Sequence, residues 1–287
     1  MDCTAGGGGH SYEIAKRLPN GSRLICLDRD DEAIEACTKR LDEYKDRFTI
    51  VKSNFMNLGA ALDSLGIDKI DGVMWDLGVS SHQLDDGERG FSYSKEAPLD
   101  MRMDREQSIT AYDVVNSYTA DEIARVLRDY GEEKFASKIA RDIVAARETK
   151  PIETTIELAE LVTESIPAAV RKKEKQNPAR RTFQAIRIEV NGELDAIEPS
   201  ITTAVERLNP GGRLAVITFH SLEDRIVKNA YKINATGCIC PPKTPICICG
   251  HKQVITLVNK KPIMASDREI QDNSRSKSAK LRIAQKI

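Results

Sequence analysis

The stretch Asp2-Cys3-Thr4-Ala5-Gly6-Gly7-Gly8-Gly9-His10 decides the fold of this chain. Glycines in a turn let backbone N–H groups approach a ligand without a Cβ in the way, and a helix that follows offers its positive N-terminal end. A helical pattern does follow, because Ile14, Ala15 and Leu18 recur on one face. The stretch therefore predicts a loop that cradles a nucleotide-like ligand.

In dinucleotide-type folds, an acidic residue about 20 residues after the glycine loop binds the ribose hydroxyls. This sequence has an acidic residue at that spacing. This residue is Asp28, which ends the apolar run 24–27. The loop lacks the G-x-G-x-x-G pattern of NAD proteins, so it argues against a pyrophosphate ligand while the spacing supports a nucleoside. Gly8, Gly9 and Asp28 are thus the first candidate binding residues.

Four short apolar runs have the pattern of buried parallel strands: 24–27, 48–51, 70–75 and 213–219. The first three alternate with helical patterns, which is typical of an α/β doubly wound sheet whose ligands bind at the carboxyl ends of its strands. Asp76 follows the third run and begins a second polar loop at that edge. Two polar loops around a glycine turn favour a nucleoside with a charged tail, as in S-adenosylmethionine.

The same patterns divide the chain into segments. Residues 1–107 and 177–287 carry the sheet pattern and predict two parts of one domain, whereas residues 108–176 carry only helical patterns and predict an inserted helical domain. A single helix is expected over 180–208, and weak helical character over 278–287. Such a sheet also needs a buried strand before Asp2, so we expect the N-terminal strand to be missing from the sequence.

Composition narrows the class of protein. The 287 residues are 40% hydrophobic, enough for a core, and no apolar stretch approaches the roughly 18 residues of a membrane span. The start resembles no signal peptide, so we expect a cytoplasmic chain without membrane contact. The net charge is −1, but basic residues concentrate at 171–181 and 275–286. Each of these patches predicts either RNA contact or a solvated surface.

Four of the seven cysteines form a cluster with the spacing of metal ligands: Cys238, Cys240, Cys247 and Cys249. Four thiolates could hold Zn²⁺, with His251 as a substitute ligand, and a reducing cytosol disfavours disulfides. The usual zinc spacing is C-x-x-C, and C-x-C is tighter. The cluster therefore predicts either a zinc site or free thiols that pack a loop.

Six longer blocks of the sequence resemble those of one protein family. They resemble the signature blocks of the bacterial small-subunit rRNA cytosine-N4 methyltransferases, the RsmH or MraW family, nearly from end to end. The blocks are Asp76-Leu77-Gly78-Val79-Ser80-Ser81, Gln83-Leu84-Asp85-Asp86, Arg89-Gly90-Phe91-Ser92, Pro98-Leu99-Asp100-Met101-Arg102-Met103-Asp104, Arg181-Thr182-Phe183-Gln184-Ala185-Ile186-Arg187-Ile188-Glu189-Val190-Asn191 and Phe219-His220-Ser221-Leu222-Glu223-Asp224-Arg225.

The resemblance implies a class I, Rossmann-like methyltransferase domain with a helical insertion and S-adenosylmethionine as methyl donor. The implied acceptor is N4 of a decoding-centre cytidine, cytosine 1402 in standard numbering, of 16S rRNA in the small ribosomal subunit. A homodimer is left open. The family pattern places donor contacts on Gly8, Gly9, His10, Asp28, Phe55, Asp76 and Gln83.

Three residues are candidates for the chemistry. Asp76, or the carbonyls beside it, is placed to accept the hydrogens of the target amine. His220 and Glu223 follow the next strand and are candidates for substrate positioning or proton removal, with a helix cap and a surface charge as the ordinary alternatives.

Two other classes of function share part of the pattern. A nicotinamide-dependent oxidoreductase shares the strand, the loop and the acidic residue, but it needs G-x-G-x-x-G. A noncatalytic RNA-binding or ribosome-assembly factor would leave the convergence of two loops on a nucleoside pocket unexplained. The methyltransferase interpretation is favoured over both.

Overall fold

The computed structural model describes residues 1–173, 176–241, 244 and 246–287. Two compact units share the chain, one made of Met1–Gly78 with Leu194–Ile287 and the other of Val79–Glu193. The second unit is longer than the predicted helical segment 108–176. The reason is visible in its core, since Phe91 and Leu99 before that segment and Phe183 after it are buried in one cluster.

The first unit confirms the predicted α/β sheet. Its strands are β1 (Leu24–Asp28), β2 (Phe48–Lys52), β3 (Ile70–Asp76), β4 (Leu208–Thr218), β5 (Ile255–Leu257), β6 (Ile263–Met264) and β7 (Lys280–Lys286). β1 pairs with β2, and β3 pairs with β4, both in parallel. β7 runs antiparallel to β4 on one side and to β5 and β6 on the other.

Residues 1–3 lie between β1 and β3, where the sequence pattern requires the first strand. Asp2 forms parallel bridges to Cys26 of β1 and to Met74 of β3. The N–H of Asp2 donates to the Ile25 carbonyl at 2.8 Å, and that of Cys3 donates to the Met74 carbonyl at 2.9 Å. These residues therefore connect the two parallel pairs into one sheet.

The described residues of the two units form thirteen α-helices. In chain order they are α1 (Gly9–Arg17), α2 (Asp31–Arg40), α3 (Leu58–Ser64), α4 (Ser81–Asp85), α5 (Ala111–Ser117), α6 (Ala120–Asp129), α7 (Ala136–Arg147), α8 (Thr155–Ser165), α9 (Ala168–Arg171), α10 (Arg180–Asn191), α11 (Ile197–Arg207), α12 (Ser221–Asn234) and α13 (Asp267–Asp272). No helix of the described residues is both long and apolar enough to cross a membrane.

Two sequence expectations on secondary structure are wrong. The helix expected over 180–208 is two helices, because α10 ends at Gly192, whose φ of 58° places it in the left-handed region. The tail expected to be weakly helical is β7. Backbone pairing explains the difference, since residues 280–285 pair with β4 and Ala284 is fully buried between β4 and β5.

The second unit packs around an apolar core that includes side chains of α5, α6, α7, α8 and α10. Asn191, at the end of α10, clamps an irregular segment of that unit. Its Nδ2 donates to the Met101 carbonyl at 2.7 Å, and its Oδ1 accepts from the Met103 N–H at 2.8 Å. Met101 has a φ of 58°, so these bonds hold a conformation that an L-residue adopts at a cost.

Candidate functional site

The candidate residues of the first unit follow the carboxyl ends of its parallel strands. The glycine loop 4–9 follows the Asp2 bridge, Asp28 ends β1, Asp76 ends β3 and His220 follows β4. Parallel strands bring their carboxyl ends to one edge of the sheet. The topology therefore collects the predicted binding loops at that edge.

Gly8 allows the loop to pass close to α2. Its φ is 77°, and a Cβ built there would lie 3.1 Å from both Cα and Sγ of Cys37. Gly6 also has a positive φ, of 50°, whereas a Cβ on Gly7 would meet no atom within 4 Å. The loop is thus packed at Gly8 and open at Gly7, as a ligand cradle requires.

Asp2 fixes both ends of this loop, a role that the sequence analysis missed. Its side chain is fully buried. One oxygen accepts from the Ser11 hydroxyl at 2.6 Å and the other from the Thr4 N–H at 3.1 Å. Burial raises the pKa of Asp2, and these two bonds oppose that rise. An acid placed directly before a glycine turn was the available signal.

Asp28 lies against the same loop. Its Oδ2 accepts from the Gly6 N–H at 2.7 Å, and its Oδ1 accepts from the Asp30 N–H at 2.9 Å. Burial raises the pKa of Asp28, while these backbone donors lower it. The backbone N–H of Arg29 is a third donor to this side chain. A carboxylate has about four lone-pair sites, so Asp28 keeps capacity to accept a ligand hydroxyl.

Asp76 is held from two sides. Its backbone N–H donates to the Thr4 hydroxyl at 2.6 Å, and its Oδ2 lies 3.3 Å from Nε2 of His10. Its Oδ1 is buried and has no hydrogen-bond partner among the described residues. A buried acceptor without a partner is costly, so this atom fits a ligand that donates a hydrogen bond.

We expect His10 to titrate above the usual histidine value of about 6.5. The hydrogen bond to Asp76 raises the pKa of His10, against the opposing effect of burial. The pair therefore stabilises the fold below the unfolded-state pKa, and this stabilisation is lost as the pH rises through the folded-state pKa. Both side chains are partly exposed, so the contribution to stability is small.

An NMR pH titration of the His10 ring, assigned with a His10→Gln variant, checks this expectation. The Asp76→Asn variant should return the midpoint to the ordinary value. A wild-type midpoint at or below that of Asp76→Asn would show that the contact does not form in solution.

His220 and Glu223 lie together at the start of α12. Oε2 of Glu223 accepts from the N–H groups of Phe219 at 2.7 Å and of His220 at 3.2 Å, and Glu223 is 1% exposed. Its Oε1 lies 3.1 Å from Nε2 of His220. Glu223 therefore caps the helix. Nε2 of His220 approaches Glu223 closely, but neither ring nitrogen of His220 has a hydrogen-bond partner among the described residues.

Phe55 and Gln83 belong to different units. Phe55 follows β2 and packs, partly buried, against the core of the first unit. Gln83 is buried in the second unit, where its Oε1 accepts from the Ser80 N–H at 3.0 Å and so closes the first turn of α4. Their predicted contacts with a methyl donor stay predictions.

The four clustered cysteines converge in the first unit. Their sulfur atoms all lie within 4.8 Å of one another. His251, predicted as a substitute ligand, instead places its Nε2 2.9 Å from the Ile233 carbonyl.

Several basic residues that could contact RNA, in the patch 275–286 and at Arg102, are bound within the protein. Arg282 and Lys280 both pair with Asp224, at 2.7 Å and 3.3 Å. Arg102 binds Asp100 through Nε and Nη2, each at 2.8 Å. In the patch 171–181, residues 174 and 175 lie outside the described part of the chain.

Comparison with known proteins gives a consistent result over the whole chain. A sequence model of the MraW methylase family matches residues 1–287. Proteins named "Ribosomal RNA small subunit methyltransferase H" are 54% identical in Lachnospira eligens and in Brevibacillus brevis, and 50% identical in Finegoldia magna. Each alignment covers 100% of this chain, and it covers 91%, 91% and 92% of these relatives in turn.

A solved structure, an rRNA methylase from Streptococcus thermophilus, aligns with 100% of this chain and 84% of its own at 12% identity and a TM-score of 0.43. The sheet of the first unit, parallel except for the strands at the β7 side, is consistent with the class I methyltransferase fold.

Proposed function

The chain belongs to the MraW methylase family, and on that premise we propose that it transfers a methyl group from S-adenosylmethionine to small-subunit ribosomal RNA. We propose N4 of the cytidine at 1402 of 16S rRNA as the acceptor, within a small ribosomal subunit in the cytoplasm. The observation that carries the proposal is the buried Oδ1 of Asp76, an acceptor without a partner among the described residues, beside the glycine loop.

The residues at the sheet edge fit the donor. When bound, S-adenosylmethionine supplies an electrophilic methyl group on a sulfonium. Asp28 would accept hydrogen bonds from ribose hydroxyls, because a carboxylate has about four lone-pair sites and its backbone donors do not fill them all. Gly8 and Gly9 would let the backbone approach the donor, and Phe55 would lie beside its adenine.

The acceptor amine needs help because its lone pair is delocalised into the cytosine ring. A carboxylate oxygen that accepts an amine hydrogen favours rehybridisation of the nitrogen towards attack. Oδ1 of Asp76 is available for this bond, and His10 holds the other oxygen in place. Alignment of amine and methyl group then lowers the barrier by proximity. His220 would position the base, because both of its buried ring nitrogens lack a hydrogen-bond partner among the described residues.

The target base must leave its stack to reach such a site. That step needs cationic groups that bind the RNA backbone. Arg171, Lys172 and Arg105 are the basic residues that we propose for this contact.

Donor binding tests the proposal before any RNA is added. Trp75 is the single tryptophan, is 1% exposed and precedes Asp76, so its emission should change when S-adenosylmethionine binds. We expect Asp28→Asn to weaken donor affinity by about 10- to 100-fold, since it removes a charged acceptor. Equilibrium dialysis with labelled donor checks the affinity independently.

Asp31→Asn is the matched control, because it makes the same change at an exposed residue of α2. It should bind the donor as the wild type does. Absence of binding by folded wild-type chain would reject the methyltransferase proposal in favour of a noncatalytic RNA-binding or assembly factor.

A further inference from the structure

The four cysteines of the loop after α12 point their sulfur atoms towards one another. Sγ of Cys247 lies 3.5 Å from those of Cys238 and Cys249 and 4.0 Å from that of Cys240. Sγ of Cys249 lies 3.8 Å from that of Cys238. All four are free thiols.

These distances match a tetrahedral ion. With Zn–S bonds of about 2.3 Å, the edge of the tetrahedron is about 3.8 Å. Four of the six sulfur pairs lie 3.5 to 4.0 Å apart, a range that brackets this value, and the other two pairs lie within 4.8 Å. The sulfurs are too close together for ligands of a four-iron cluster, in which each thiolate binds a different iron atom.

The tight C-x-C spacing suits this geometry. In extended backbone, side chains two residues apart point to the same side and the intervening one points away. The cysteines of each pair converge, while Ile239 and Ile248 between them are 53% and 84% exposed. The expectation that C-x-C fits one ion poorly is therefore not supported by the arrangement of these side chains.

The described residues of this loop bury little surface that could hold it folded. No described residue between 236 and 250 is buried, and none belongs to a helix or strand. A segment that buries no apolar side chain needs a cross-link to offset the entropy that ordering costs.

We propose that Cys238, Cys240, Cys247 and Cys249 bind one zinc ion that staples the loop between α12 and β5. Four thiolates complete the coordination of Zn²⁺, so the site is closed and structural, without an open position for catalysis. This proposal goes beyond the methyl-transfer function and does not depend on it.

Metal analysis of the full chain, purified under reducing conditions without chelator, tests the site. We expect about one zinc per wild-type chain by plasma mass spectrometry. In Cys247→Ser the zinc content per chain should fall at least about tenfold, because Cys247 contacts each of the other three cysteines. Ile248→Ser is the matched control, since it alters the exposed neighbour and keeps all four thiols, and it should retain the zinc.

Two further measurements report on the site without relying on activity. Cobalt substituted for zinc should give the visible absorption of a tetrahedral thiolate complex in the wild type and in Ile248→Ser, and lose it in Cys247→Ser. Limited proteolysis should cut residues 236–250 faster after removal of the metal. Metal-free chain with four reduced thiols, iron in place of zinc, or equal zinc in Cys247→Ser would overturn the proposal.

Discussion

Replacement of Asp76 by asparagine should lower kcat/KM for methyl transfer by about 10²- to 10³-fold. The substitution replaces one of the two carboxylate oxygens by an NH2 group, which donates hydrogen bonds. The side chain can then no longer accept from both the target amine and His10. We expect kcat to fall more than donor affinity, because the lost interaction strengthens as the nitrogen rehybridises.

Asp71→Asn provides the control for this experiment. Asp71 lies near the amino end of the same strand, is exposed, and accepts a hydrogen bond from Asn209 at 2.8 Å. It should transfer methyl groups at the wild-type rate. If Asp76→Asn stayed within about threefold of the wild type, Asp76 would not contact the reacting amine. If the affinity for the donor fell by the same factor as kcat/KM, Asp76 would contact only the donor and not the target amine.

Replacement of Gly90 by alanine should destabilise the second unit by about 3 kcal/mol, with a fall in Tm of roughly 10 °C or more. Gly90 has a φ of 72°, which costs an alanine about 1 kcal/mol. Its Cβ would overlap the carbonyl oxygen of Pro98 and lie 3.0 Å from the nitrogen of Asp100. Both atoms are backbone, so the segment must shift to make room.

Gly87→Ala is the control, because it shows how much stability changes when a nearby glycine without backbone crowding is replaced by alanine. Gly87 lies three residues earlier, its φ is not in the left-handed region, and its Cβ would rest 3.6 Å from the flexible Lys95 side chain. Differential scanning calorimetry of both variants should show a large shift for Gly90→Ala and a shift of under about 1 kcal/mol for Gly87→Ala. Equal shifts in the two variants would contradict the backbone crowding at Gly90.

The sequence predicts the parallel part of the sheet closely. The runs 24–27, 48–51 and 70–75 correspond to β1, β2 and β3, each extended by one residue. Buried parallel strands are apolar on both faces, so a short unbroken apolar run with polar flanks is informative. The glycine loop and Asp28 meet for a related reason, because the topology places both at the carboxyl edge.

The sequence does not predict a strand or a side-chain role that depends on residues brought near by the fold. β7 pairs with three other strands, and its alternation of Leu281, Ile283 and charged residues is too short to separate a strand from an amphipathic helix. Arg102 looks like an RNA-binding residue until Asp100 is found beside it at 2.8 Å. Long-range burial also makes Asp2 a structural anchor, and its position before the glycine turn is only a weak local signal of that role.

Methylation of cytosine N4 in small-subunit rRNA is the activity that we propose for this chain. It is tested by incubating the chain and labelled S-adenosylmethionine with small ribosomal subunits that lack the modification, followed by nucleoside mass spectrometry and mapping of the labelled position. We expect N4-methylcytidine at the position equivalent to 1402, formed by the wild type and strongly reduced with Asp76→Asn. Label in another nucleoside, or no transfer by a chain that binds the donor, would contradict the proposed activity.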